Sequence, residues 1–212
     1  MRVVVTRPAS QAAPLADALR AAGLDPVVCP LIEIEPIEDG PIDTDGYDWV
    51  VVTSANGAEQ LAARRAGPLP SVAAIGAQTA ATLTAHGITP AFVPSEATQD
   101  ALVDEFPRPH GRVLFVGAEE ARGLVVSELD ADFRPVYRTR RLRPDPLPRG
   151  DLVLLASPSA ARAMAELHLD VPAVTIGPQT TRAAEEHGLR VVAQSRTADV
   201  PGLVAAVREV AG

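Results

Sequence analysis

The chain contains no lysine, and all nineteen of its basic residues are arginine. That absence excludes lysine Schiff-base chemistry, and with it pyridoxal phosphate catalysis of the usual kind. Cys29 is the only cysteine, so neither an internal disulfide nor a thiolate metal cluster can form, and a reducing compartment is the natural setting. Aromatic residues make up 3% of the chain, too few for the stacking surfaces expected of an α/β sugar-binding protein. With a net charge of −8 and a pI near 5.0 there is no basic footprint for nucleic acid. No apolar run approaches the length that crosses a bilayer, and Met1-Arg2-Val3-Val4-Val5-Thr6 turns polar too soon for a signal peptide, so the expected location is the cytoplasm. No glycine-rich dinucleotide fingerprint or Walker loop occurs, which argues against NAD and ATP. Asp43, Asp45 and Asp48 read as loop and cap residues rather than metal ligands, so neither metal nor cofactor is expected.

What is present is a repeat. Ile75-Gly76-Ala77-Gln78-Thr79 returns as Ile176-Gly177-Pro178-Gln179-Thr180, and each copy runs on through an Ala-containing segment to His-Gly, at His86-Gly87 and His187-Gly188. An apolar run precedes each copy, so each reads as strand, tight turn, helix and helix stop. Pro178 fits the first helical position, which makes Gly177 the N-cap and places the backbone N–H groups of Gln179 and Thr180 among the unpaired donors of the first turn. Such donors suit a carboxylate or phosphate. A tight turn and cap with no ligand is the alternative for either copy alone. Duplication favours a two-sided site.

In chain order, Val3–Val5 is a buried strand, a helix ends at Ala22 before Gly23, and Val27–Cys29 is the next strand. Pro30–Pro36 alternates apolar and acidic residues between prolines, the pattern of an exposed connector. Asp48–Asn56 starts a new buried strand whose end, Thr53-Ser54, caps a helix reaching about residue 65. Strand and helix then alternate through Val72–Ile75, Ala91–Val93, a helix over about Gln99–Phe106, Arg112–Gly117 and a helix ending near Leu129. Arg134–Leu142 is extended and polar. Leu152–Leu155, Val174–Ile176, Val191–Ala193 and a last helix from about Val200 replay the earlier pattern. Alternation of this kind predicts parallel sheets with helices on both faces. The expected fold is α/β: two flavodoxin-like parallel-sheet domains with a cleft between them, joined by a two-stranded linker. The domains are 1–33 with 143–212, and an inserted 39–134; the paired linker strands are 34–38 and 135–142. A simple tandem of two domains with one connector is the alternative.

Ligands of open parallel sheets sit beyond the carboxyl ends of the strands. Thr6-Arg7, Thr53-Ser54, Gly76, Gly117, Ser157 and Gly177 all fall there. The usual catalytic constellations are missing. Neither Ser54 nor Ser157 lies in a Gly-x-Ser-x-Gly elbow, and none of His86, His110, His168 and His187 shows a partner pattern. His86 and His187 precede glycine stops, where capping explains them. Glu119-Glu120 and Glu185-Glu186 read as solvated helix faces. Tyr137 is one of two tyrosines and stands among arginines on an extended segment, where physics alone gives it a bracing role.

Several motifs, taken in order, resemble those of the uroporphyrinogen-III synthase family. They are Val5-Thr6-Arg7-Pro8, Pro30 with Ile32 and Ile34, Trp49-Val-Val-Val-Thr-Ser-Ala-Asn56, Ile75-Gly76 with Thr79, Val136-Tyr137-Arg138-Thr139, Ser157-Pro158-Ser159 and Ile176-Gly-Pro-Gln-Thr180. The resemblance implies a cofactor-free hydro-lyase of tetrapyrrole and haem biosynthesis. Such an enzyme converts hydroxymethylbilane to uroporphyrinogen III with ring D inverted, through azafulvene and spiro intermediates. It implies Tyr137 as the catalytic proton donor. Arg7, Thr53, Ser54, Asn56, Gly76, Gln78, Thr79, Ser157, Ser159, Gly177, Gln179 and Thr180 are then the substrate-binding residues. It further implies a monomer that receives its substrate from hydroxymethylbilane synthase. The rival from another class is a non-catalytic two-domain module that senses a tetrapyrrole or another anion.

Overall fold

A computed structural model describes residues 1–37, 40–121 and 123–211. The first half of the chain forms β1 (Arg2–Val5), α1 (Ala9–Ala21), β2 (Asp25–Val28), β3 (Ile32–Pro36), β4 (Trp49–Val52), α2 (Ala55–Arg64), β5 (Ser71–Ala74), α3 (Ala77–Ala85) and α4 (Gln99–Asp104). The second half forms β6 (Val113–Ala118), α5 (Leu124–Glu128), β7 (Asp132–Arg141), β8 (Leu152–Leu155), α6 (Pro158–Ala165), β9 (Ala173–Thr175), α7 (Pro178–Glu186), β10 (Val191–Gln194) and α8 (Val200–Ala211). The chain divides into two compact units, Met1–Glu33 with Thr139–Gly212, and Ile34–Arg138. We call them the composite unit and the insert unit.

The composite unit is a five-stranded sheet in the order β10-β9-β8-β1-β2, parallel throughout. Its strands are continuous apolar runs because both faces are covered. On β1, Val4 packs with Ala160, Met164 and Ala184 on one face, while Val3 and Val5 pack with Leu15, Leu19 and Leu203 on the other. Leu15 and Leu19 are fully buried, each contributing about 1.5–3 kcal/mol of hydrophobic stabilisation. The opening strand pairs directly with β8, Val3 opposite Leu152 and Val5 opposite Leu154.

The insert unit repeats this plan in the order β3-β7-β6-β4-β5, with β7, β6, β4 and β5 mutually parallel. Val50 and Val52 pack with α2 and α3 through Leu61 and Leu83, and Val51 packs with α4 and α5 through Leu102 and Val125. Here β7 is more than the polar connector expected from its arginines. From Asp132 to Tyr137 it is a ladder strand beside β6, and Val136 and Tyr137 are buried in the α2 face. Beyond Tyr137 the strand turns polar and pairs its charges with β3, Arg138 with Glu35 and Arg140 with Glu33. The expected first linker strand, 34–38, is described only as far as Ile37; Glu38, and Asp39 at the expected start of the inserted domain, lie outside the described residues.

Three local expectations change. Ala91–Val93 makes only a single bridge, Phe92 to Ala73, because Pro90 and Pro94 bracket it and remove ladder donors. The helix expected to reach Phe106 stops at Asp104, since the residue before Pro107 is disfavoured in helical conformation. The second strand runs Asp25–Val28 rather than Val27–Cys29. The helix stops agree with the sequence: His86 and His187 are C-caps, followed by Gly87 at φ 74° and Gly188 at φ 76°, where a side chain would be strained. No helix among the described residues is long and apolar enough to cross a membrane.

Candidate functional site

In the insert unit the carboxyl end of β4 and the middle of β7 bring three predicted residues together. Ser54 follows β4 in extended conformation and caps α2, its Oγ accepting from the Gly57 N–H at 3.0 Å. Tyr137 lies opposite Ala118, at the last position of β6, so β7 delivers its ring to the same end of the sheet. The phenol oxygen is 2.9 Å from Ser54 Oγ, and the Asn56 side chain hydrogen-bonds to it as well. Tyr137 is 5% exposed. Burial raises the phenol above its ordinary value of 10.0, the hydrogen bonds from Ser54 and Asn56 oppose that rise, and the Glu120 carboxylate adds to it. The group therefore holds its proton throughout the neutral range and is fitted to donate rather than abstract. Thr53 is half-buried beside this cluster. Gly76 is buried at the N-cap of α3, where an added Cβ would come within 2.7 Å of Ala97 Cβ. Gln78 is exposed on α3 and Thr79 is 4% exposed.

The composite unit presents a different set. Thr6 ends β1 and its hydroxyl donates to Leu154 O at 2.6 Å, fixing the strand ends against one another. Arg7 follows at once, half-buried, and among the described residues it makes no hydrogen bond or ion pair. Burial lowers its pKa from the ordinary arginine value, but an arginine remains cationic, so an anion would relieve the desolvated charge. Ser157 caps α6 through the Ala160 N–H at 3.1 Å, and Ser159 Oγ accepts from Arg162 at 3.4 Å. Gly177 is the N-cap of α7 with Pro178 in its first turn, as predicted. An added Cβ at Gly177 would meet nothing within 4 Å. One expectation fails here: the Thr180 N–H is not a spare donor, since it bonds to Gly177 O at 3.0 Å. The Thr180 residue is 2% exposed, and Gln179 is exposed on the helix.

Three participants were missed by sequence reasoning. Thr181 Oγ1 lies 2.6 Å from Thr175 Oγ1 and 2.7 Å from Gln194 Oε1, tying α7 to β9 and β10. Its signal was only a second threonine after the repeat. Glu120, read as part of a solvated face, acts electrostatically on Tyr137. Arg64 donates to Ile37 O at 3.1 Å, Gly40 O at 2.9 Å and Val136 O at 3.5 Å, bracing the carbonyl that precedes Tyr137. Nothing in the local sequence marks it. Asp43 and Asp48 behave as loop residues, accepting from the N–H groups of Asp45 and Arg112. A cavity of about 420 Å³ lined by Met1, Arg2, Asp25, Arg149, Gly150 and Asp151 opens at the amino ends of β1, β2 and β8, the opposite end of the sheet from Arg7. There the Arg2 side chain pairs with Asp25 at 3.3 Å, and the Arg2 backbone N–H donates to the Asp151 carboxylate at 2.7 Å.

The family model described as uroporphyrinogen-III synthase HemD matches residues 13–205. The chain is 26% identical to the uroporphyrinogen-III synthase of Synechococcus elongatus, over 98% of its own length and 94% of the relative's. It is 28% identical to a putative uroporphyrinogen-III synthase of Methanocaldococcus jannaschii, over 90% and 91% of the two chains. Among solved structures, a mutant uroporphyrinogen III synthase from Thermus thermophilus superposes with a TM-score of 0.69 at 16% identity, covering 100% of this chain and 98% of the other. The Helicobacter pylori enzyme superposes at 0.65 and 18% identity, covering 99% and 100%. At these identities the superpositions establish the two-domain α/β fold.

Proposed function

Since the chain belongs to the uroporphyrinogen-III synthase family, we propose that it carries out the cyclisation of hydroxymethylbilane to uroporphyrinogen III, with Tyr137 donating the proton that lets the terminal hydroxyl depart. The observation that carries this reading is the buried phenol hydrogen-bonded to Ser54 and Asn56 at the carboxyl end of the insert unit's sheet. The substrate supplies most of the driving chemistry. A pyrrole nitrogen pushes out the hydroxyl as water, leaving an azafulvene. The substituted α-carbon of ring D attacks to form a spiro intermediate, which fragments and recloses with that ring inverted. The protein needs no covalent nucleophile. It must hold a flexible polycarboxylate in its curled form and deliver one proton.

Carboxylate binding in an acidic chain needs local rather than net positive charge. Arg7 is a half-buried cation without an acidic partner among the described residues, and Gly177 leaves open space over the start of α7. We assign Arg7, Ser157, Ser159, Gly177 and Gln179 of the composite unit, and Thr53 and Gln78 of the insert unit, to the acetate and propionate groups; Gly76, Thr79 and Thr180 are buried and shape the two helix starts. Helix N-termini and hydroxyls bind carboxylates well without lysine. The protein acts as a monomer on substrate released by hydroxymethylbilane synthase, a state that size-exclusion chromatography with light scattering tests.

The deciding experiment generates hydroxymethylbilane in situ, adds the purified protein without metal or cofactor, and separates the oxidised uroporphyrin isomers. Predominant type III isomer is expected. Only the spontaneous type I isomer, from protein shown to be folded, would overturn the reading and leave a non-catalytic anion-binding module.

A further inference from the structure

We propose that Ser54 and Asn56 are not carboxylate ligands but a two-donor cradle for the phenolate that Tyr137 becomes when it gives up its proton. The inference rests on the proton-donor role of Tyr137 and adds to it the residues that make that role possible. A phenol buried to 5% exposure is a poor acid, because its conjugate base must form away from water. The phenolate has no hydrogen of its own, so in that state each neighbouring polar group must donate to it. Ser54 Oγ is 2.9 Å away, and one of its lone pairs already receives the Gly57 N–H at 3.0 Å. That bond anchors the oxygen and leaves the hydroxyl hydrogen to turn towards Tyr137. Asn56, in the first turn of α2, contributes its side-chain hydrogen bond to the same oxygen. Both donors stand at the start of one helix, Ser54 fixed there by its capping bond, so little reorganisation accompanies the charge. Among the described residues the charged group acting on the phenol is Glu120, which opposes ionisation and adds to the demand on the two donors.

The step balances. The Tyr137 O–H bond breaks as a new O–H bond forms on the departing hydroxyl, and the C–O bonding pair leaves with the water. The phenolate regains its proton when the free α-carbon of ring D, having formed the last C–C bond, loses its hydrogen and the pyrrole becomes aromatic again.

The test uses Ser54→Asp and Asn56→Asp. Aspartate remains a good N-cap and is favourable in a first helical turn, so α2 is preserved, but neither replacement can donate. Each is expected to lower kcat about 10- to 100-fold with KM changed by less than about 3-fold, and Ser54→Thr, which keeps both cap and donor, is expected to recover most of that loss. The second readout is direct. Tyr47 and Tyr137 are the only tyrosines, so in a Tyr47→Phe background an ultraviolet titration near 295 nm follows Tyr137 alone. Both aspartate variants are expected to move its ionisation to higher pH, and so is Asn56→Leu, which removes the donor without adding a carboxylate; a shift in the aspartate variants alone would be the effect of their charge and would refute the cradle. If Tyr137→Phe slows turnover while the aspartate variants retain kcat, the cradle is refuted and the proton donor stands. If Tyr137→Phe itself turns over normally, the proton-donor reading fails with it. An unchanged Tyr137 titration in both variants also refutes the cradle, and a KM rise with constant kcat would return Ser54 and Asn56 to carboxylate binding.

Discussion

Ser54 and Ser157 each end a buried strand and each cap the helix that follows, yet only Ser54 meets a tyrosine. Gly76 and Gly177 begin the two copies of the repeat. Ala97 closes over Gly76, whereas Gly177 faces open space. Arg7 follows the first strand of the composite unit, whereas at the corresponding end of the insert unit β6 runs into Glu119 and Glu120. One architectural plan, used twice, has therefore been equipped differently: the insert unit with a buried proton donor, the composite unit with a cation and an uncovered helix start. Duplication gives equivalent positions, and the side chains around them decide what each can do.

The largest effect that would test this division is at Tyr137. Tyr137→Phe keeps the ring's packing and removes the proton, so kcat is expected to fall about 100-fold in the isomer assay with little change in KM. If the fall is below about 3-fold, the insert unit does not hold the acid. The glycine pair comes next. Gly76→Ala drives a methyl into Ala97 at 2.7 Å and is expected to destabilise the protein by about 1–3 kcal/mol in urea denaturation. Gly177→Ala should leave stability within about 0.5 kcal/mol and raise KM instead. Equal destabilisation by the two would erase the contrast. Arg7→Gln is expected to raise KM about 10-fold while kcat holds, the loss of one charge-assisted contact. Ser54→Ala and Ser157→Ala should each cost about 1 kcal/mol of stability through the lost cap, and only Ser54→Ala should reduce kcat.

The smallest effect concerns acid. Tyr47 and Arg112 hold Asp132 below its ordinary value of 3.8, and Ser95 holds Glu105 below 4.5. A carboxylate with a depressed folded pKa stabilises fully above its unfolded pKa and progressively less as pH falls towards the folded one. The denaturation midpoint is therefore expected to decline as pH falls below about 4.5, and Asp132→Asn should flatten that decline. Both groups belong to the insert unit, so hydrogen exchange in acid should show its amides opening more than they do at neutral pH.

Much of the fold was legible because apolar runs such as Val3–Val5, Val50–Val52 and Leu152–Leu155 announce strands buried on both faces, and because His-Gly marks two helix ends. The caps at Ser54, Ser157 and Gly177 were legible for the same local reason: the unpaired donors of a first turn select particular residues. The pairing of β7 with β6 was not legible, although its place beside β3 was. Its arginines suggested a solvated connector, and only the register against β6 shows Val136 and Tyr137 turned into the α2 core. Arg64 and Glu120 were invisible as contributors, since each acts on a residue far away in sequence.

The sequence by itself determined the alternation of strands and helices, the stops and caps, and the ends of strands where chemistry can sit, because each depends on a few neighbouring residues and their periodicity. Tertiary structure alone decided that Tyr137 is buried against Ser54 and Asn56, that Arg7 has no acidic partner among the described residues, and that Gly76 is covered while Gly177 is not. Those properties depend on which side chains meet across strands and helices, and a one-dimensional pattern contains no term for that encounter.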